Sequence, residues 1–84
     1  MTVTFLPGDT PPQLAFSVTR KVGSAVVRNR VRRRLREIFR ATAAEGQLRD
    51  GAYLLSAQPP AVERTFVELQ RDLRKALERV GALA

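Results

Sequence analysis

Nine basic side chains stand between residues 20 and 40: Arg20, Lys21, Arg28, Arg30, Arg32, Arg33, Arg34, Arg36 and Arg40, with Glu37 the only acid among them. Nine bases less one acid leave +8 on this segment, so the rest of the chain carries −1 of the total net charge of +7. Thirteen of the fifteen basic residues are arginine. The guanidinium group is a planar fork of donors suited to phosphate oxygens and base edges, and it stacks on bases. A positive field confined to one short segment is the footprint of a nucleic-acid binder.

Groups that would make or break bonds are scarce by comparison. The 84-residue chain has no histidine and no cysteine, which removes the commonest general base and the thiolate nucleophile. It also rules out a disulfide framework or thiolate metal site. The acids are dispersed, with no spacing that pairs them for a metal, and there is no glycine-rich phosphate loop. No catalytic or metal-ligating residue is assigned; any chemistry belongs to a partner.

The elements that must position the basic residues are legible from period and punctuation. Thr2 to Leu6 alternates β-branched and aromatic residues as a first strand. Pro7-Gly8-Asp9-Thr10-Pro11-Pro12 is turn chemistry. From Gln13 to Lys21, Leu14, Phe16 and Val18 point one way and Ala15, Ser17 and Thr19 the other, a half-buried strand expected to pair with the first as an antiparallel hairpin. Gly23 breaks it and Ser24 is an N-cap. Val27, Val31, Leu35, Ile38 and Phe39 then form one apolar stripe of a helix from about Ala25 to Glu45, stopped at Gly46. On its opposite side fall Asn29, Arg32, Arg33, Arg36 and Arg40, with Arg30 and Arg34 on a flank.

Gly51 to Ser56 suits a central strand, which Pro59 and Pro60 prevent from continuing. Thr65-Phe66-Val67-Glu68 fits a capping box, opening a second helix that buries Phe66, Leu69, Leu73, Leu77 and Val80 and ends at Gly81. The order is strand-strand-helix-strand-helix, a small α+β fold in one 84-residue RNA-binding domain. Phe5, Phe16, Phe39, Tyr53 and Phe66 are expected in the core, Tyr53 being the one most exposed.

Mixed charge on a helix is ordinarily a solvated face, and that account fits the second helix. It does not fit the first, because like charges four apart, as at Arg28, Arg32, Arg36 and Arg40, destabilise an isolated helix. A polyanion relieves that repulsion. A membrane-surface helix is the rival, but the modest apolar stripe is already needed for the core. No apolar run reaches the ~20 residues of a membrane span, and no signal peptide is evident, so a cytoplasmic protein is expected.

The run Thr19-Arg20-Lys21-Val22-Gly23-Ser24-Ala25-Val26-Val27-Arg28-Asn29-Arg30-Val31-Arg32-Arg33-Arg34-Leu35-Arg36-Glu37 resembles the signature of the bacterial ribonuclease P protein component. Gly51 to Pro59 and the leucine-periodic helix after it resemble that family's last strand and last helix, so the resemblance covers nearly the whole chain. It implies a two-layer α/β sandwich with a left-handed βαβ crossover around the basic helix, although the general rule favours right-handed crossovers. It also implies a ribonucleoprotein endonuclease whose RNA subunit, with Mg2+, removes the 5′ leader of precursor tRNA. Carried over by match, Arg28, Asn29, Arg30, Arg33 and Arg36 face the RNA subunit, with Arg32 and Arg40 on the same helix. Arg20 and Lys21 lie near a leader-binding cleft bordered by the sheet. A non-catalytic binder of other structured RNA or DNA, of ribosomal or nucleoid type, is the alternative.

The sequence departs from the family pattern in two respects. Family members usually begin with a further basic helix bearing aromatics that line the leader cleft, whereas these residues begin at a strand. Thr19, Ser24 and Gln58 also stand where a basic residue is common. Weakened leader binding is expected, together with an uncovered sheet face on the side of Ala15, Ser17 and Thr19 that favours self-association.

Overall fold

The computed structural model describes residues 1–83. Strands β1 (Thr2–Pro7), β2 (Gln13–Val18) and β3 (Gly51–Ala57) form one sheet in the order β1-β3-β2. β3 pairs antiparallel with β1 and parallel with β2. Parallel neighbours need a crossover connection, supplied here by α1 (Ala25–Ala44); α2 (Phe66–Arg79) follows β3. Short 3-10 turns at Arg20–Val22 and Pro59–Glu63 precede the two helices.

Alternation along the strands sorts the sheet into two faces. Rows Phe5–Tyr53–Leu14 and Val3–Leu55–Phe16 belong to one apolar core with Leu35, Ile38 and Phe39 of α1 and Leu69, Leu73 and Leu77 of α2. Rows Thr4–Leu54–Ala15 and Leu6–Ala52–Gln13 make the other face, and all six residues are exposed. Both helices therefore lie on one side of the sheet, an α+β two-layer arrangement as the sequence implies. Ala15, Ser17 and Thr19 are exposed as expected.

Local signals held closely. The Ser24 hydroxyl accepts from the Val27 N–H at 3.4 Å. In the capping box, Thr65 Oγ1 accepts from Glu68 N–H at 3.2 Å and Glu68 Oε1 accepts from Thr65 N–H at 3.0 Å. These bonds and the Arg64 guanidinium beside it hold the Glu68 carboxyl below its usual range.

The strand pairing differs from the expected hairpin: β1 and β2 never pair, and β3 lies between them. The loop joining them wraps the start of β3 instead. Gly8 N–H donates to the Asp50 carbonyl at 3.2 Å, and Gly51 N–H to the Thr10 carbonyl at 3.0 Å. Gly51 makes this approach possible. It has φ +140°, and a Cβ there would collide with the Leu6 carbonyl oxygen. β2 also stops at Val18, and Arg20–Val22 turns away as a 3-10 segment.

Two aromatic expectations reverse. Tyr53 is buried, stacked on Phe5 with centroids 4.7 Å apart and met edge-on by Phe39 at 5.1 Å. Its hydroxyl donates to the Arg49 carbonyl, so the central strand takes a phenol without leaving its polar atom unpaired. Phe66, by contrast, is 39% exposed, because the first turn of α2 overhangs the core, and Val80 at the other end is half-buried.

Two measurements test this packing. Gly46 also has positive φ, but a Cβ there meets nothing within 4 Å. Gly46→Ala should cost about 1–2 kcal/mol for the left-handed conformation alone, and Gly51→Ala clearly more in urea denaturation; equal costs would refute the clamp at β3. Burial pushes the Tyr53 phenol above its ordinary 10.0. The neutral phenol is thus favoured by folding, and its contribution is full below that pH and lost as pH rises through the folded-state value. Melting temperature should fall more steeply above pH 10 in the parent than in Tyr53→Phe, and parallel curves would contradict it.

Candidate nucleic-acid interface

Two devices place the basic residues along α1 and the turn that leads into it. The Arg20–Val22 turn leaves Arg20 and Lys21 exposed at the end of β2, and the Ser24 cap starts α1 two residues later. Arg28, Asn29 and Arg30 are therefore the fourth to sixth residues of α1, close in sequence to Arg20 and Lys21. Asn29, Arg30, Arg33, Arg36 and Arg40 are exposed, whereas Arg28, Arg32 and Arg34 are half-buried.

The structure divides these side chains into two groups. Arg28, Arg32, Arg36 and Arg40, four apart, form a stripe on one helical flank. Its lower part leans over β2: the Arg36 guanidinium lies 5.4 Å from the centroid of the Phe16 ring. Arg36 and Arg40 also border a hollow of about 240 Å³ with Pro12, Leu14 and Phe39. Arg32 donates from Nη1 to Asn29 Oδ1 at 2.9 Å, which fixes both side chains. Arg28 is turned further inward, and its buried Nε has no hydrogen-bond partner among the described residues. Arg30 and Arg34 fall on the other flank.

Among the described residues, no basic group from Arg20 to Arg40 forms an ion pair; the pairs present are Arg64–Glu68, Arg64–Asp72 and Arg74–Glu78. Arg64 is held by two bonds to Asp72, at 3.0 and 3.1 Å, which raise its pKa from the ordinary value. Arg49 lies over Phe5 at 5.4 Å and donates to the Gly81 carbonyl at 3.1 Å. Arg49 and Arg64 are thus committed within the fold, while Arg30, Arg33, Arg36 and Arg40 of α1 are exposed with no ion-pair partner among the described residues. Such an array neutralises phosphates and binds base edges.

Phe16, Leu14 and Pro12 join this surface although nothing in the sequence assigned them to it. Phase marks Leu14 and Phe16 as core and Pro12 as turn, and only the edge position of β2 brings them beside the arginines. A larger hollow of about 370 Å³ lies between the Pro59–Glu63 turn and α2, and none of its lining residues comes from α1.

A model of the family described as Ribonuclease P matches residues 1–81. The chain is 45% identical over 71 residues to the ribonuclease P protein component of Gluconacetobacter diazotrophicus, covering 84% of this chain and 61% of that protein. It is 46% identical over 83 residues to that of Thermus oshimai, covering 96% of this chain and 50% of the relative. The chain thus spans only about half to three-fifths of the length of these relatives. Among solved structures, the RNase P protein of Staphylococcus aureus superposes with a TM-score of 0.83 at 25% identity, over 98% of this chain and 75% of that one. The RNase P protein of Thermotoga maritima, solved in complex with 1-(4-fluorophenyl)-2-thiourea, superposes with a TM-score of 0.79 at 29% identity, over 92% and 76%.

An unpaired basic face has a measurable salt signature. If about five to seven of its cations meet phosphates, log affinity for structured RNA should fall against log salt with a slope of about −4 to −6. A slope shallower than about −2 would mean that these arginines stay in water.

Proposed function

Because the chain belongs to the ribonuclease P protein family, we propose that it acts as a protein subunit of ribonuclease P, binding the catalytic RNA subunit in the cytoplasm and assisting removal of the 5′ leader from precursor tRNA. The observation that carries this reading is the α1 face, an Arg-Asn-Arg segment within a set of basic groups that have no carboxylate partner among the described residues. In the proposal Arg28, Asn29, Arg30, Arg32, Arg33, Arg36 and Arg40 engage the RNA subunit. Arg20 and Lys21, at the end of β2, meet the precursor tRNA.

Phosphodiester hydrolysis is the work of the RNA and the Mg2+ it carries. No three acids gather among the described residues into a metal-binding group. The chain's own residues instead contribute positive charge at fixed positions. Each arginine that replaces a counterion on the RNA lessens the repulsion that magnesium otherwise screens. A benefit greatest at low magnesium follows. The described residues include no helix long and apolar enough to cross a membrane.

Cleavage of precursor tRNA by the bacterial RNA subunit at low magnesium, with and without this chain, tests the reading; no stimulation would refute it. Arg28→Ala combined with Arg30→Ala should weaken binding to that RNA tenfold or more, since charge-assisted hydrogen bonds contribute about 1.5–3 kcal/mol each. The fold should persist, because α1 is held by Val31, Leu35, Ile38 and Phe39. Unchanged affinity with an unchanged circular dichroism spectrum would remove these two residues from the interface.

A further inference from the structure

The hollow beside β2 is built unlike the rest of the basic face. Elsewhere the arginines project from a helix surface; here two of them rim a cavity of about 240 Å³ whose other walls are Pro12, Leu14 and Phe39. Arg36 is exposed, and its guanidinium lies over Phe16 at 5.4 Å. Neither Arg36 nor Arg40 has an ion-pair partner among the described residues. β2 is an edge strand, hydrogen-bonded to β3 on one side only, so backbone donors and acceptors along its outer edge are unpaired within the sheet.

Paired RNA does not suit this surface. A duplex brings phosphates to the arginines but keeps its bases stacked inside, leaving nothing to fill an apolar wall. An unpaired base has two bare faces and free edges, and proteins take such bases by stacking them on aromatic rings or guanidinium planes. Arg36 is exposed and its guanidinium is already held 5.4 Å from the Phe16 centroid, so less side-chain freedom is lost when a base arrives.

Resting on the reading that α1 binds RNA, we propose that the hollow between α1 and the outer edge of β2 receives one unpaired nucleotide of the RNA. The base lies on the Arg36 guanidinium against Leu14 and Phe39, and Arg40 holds its phosphate. Phe16 is a positioning residue, acting through the orientation it gives Arg36. The site therefore adds a preference for bulged or looped RNA to the general attraction of the helix for phosphate.

The test uses the full chain and two hairpin RNAs of one stem, one fully paired and one carrying a single bulged 2-aminopurine, followed by fluorescence anisotropy and by 2-aminopurine quenching. The parent should bind the bulged hairpin about fivefold or more tightly than the paired one, the scale of one stacked base, with quenching on binding. Arg36→Lys keeps the charge but loses the plane, and Phe16→Leu keeps the apolar volume but loses the ring. Each should bring the preference below about twofold and abolish the quenching. Arg49→Lys, the same exchange at the arginine over Phe5, should leave preference and quenching as they are. Tight binding of both hairpins without preference, or a preference that survives Arg36→Lys, overturns the nucleotide site and leaves the RNA-binding reading standing. Failure to bind either hairpin overturns both.

Discussion

Burial of Val31, Leu35, Ile38 and Phe39 against the sheet is what permits α1 to exist with its charge. Fully burying four such side chains contributes roughly 6–12 kcal/mol. Each like-charge pair four apart costs only about 0.2–0.5 kcal/mol, and Arg28, Arg32, Arg36 and Arg40 make three of them in succession. Packing outweighs the repulsion several-fold, so the helix carries a concentrated positive field that no carboxylate pairs with among the described residues. A surface acid added to relieve the repulsion would gain little stability and would cancel part of the field on which RNA binding depends.

The insertion of β3 between β1 and β2 gives that helix its surroundings. Had β1 and β2 closed a hairpin, β2 could not have held its place as the outer strand beside β3. Because the Pro7–Pro12 connection passes around Gly51, β2 becomes the edge strand on the side where α1 packs, and Leu14 and Phe16 come to lie next to Arg36 and Arg40. A glycine at the start of β3 thus has a consequence on the opposite strand, at the wall of the arginine hollow.

What could be read from the sequence follows the range of the forces involved. Ser24, the Thr65–Glu68 box and the four-residue spacing of Val27, Val31 and Leu35 act within one or two turns of helix, and each was legible. The alternation in β2 was equally local, and it named the buried and open faces correctly. Strand partners are chosen by burial across the whole sheet, which no turn signal between β1 and β2 encodes. Tyr53 was misjudged for the same reason: a phenol in a central strand is expensive unless an acceptor is found, and the Arg49 carbonyl that accepts it comes from the loop before β3. Among the site residues, the arginines announced themselves by type and number. Phe16 did not, since an in-phase aromatic looks like core until the edge position of its strand is known.

The two helices show how charge placement separates stability from binding. In α2 the first turn carries Glu68 and the last carries Arg79, each sign matched to the dipole at its end, and Arg64 and Arg74 have carboxylate partners. In α1 there is no acid in the first turn and no base in the last. Its arginines begin at Arg28, near the positive end of the dipole, where cations are least favoured. Charges arranged to stabilise α1 would have stood at the other terminus. Their actual position adds the field of the helix N-terminus to that of Arg28, Arg30 and the neighbouring Arg20 and Lys21, a repulsion that no acid in the first turn offsets. An anion with several phosphates relieves all of these unfavourable terms together, and a single small ion relieves few of them. The same arrangement that weakens the isolated helix therefore selects a polyanionic partner.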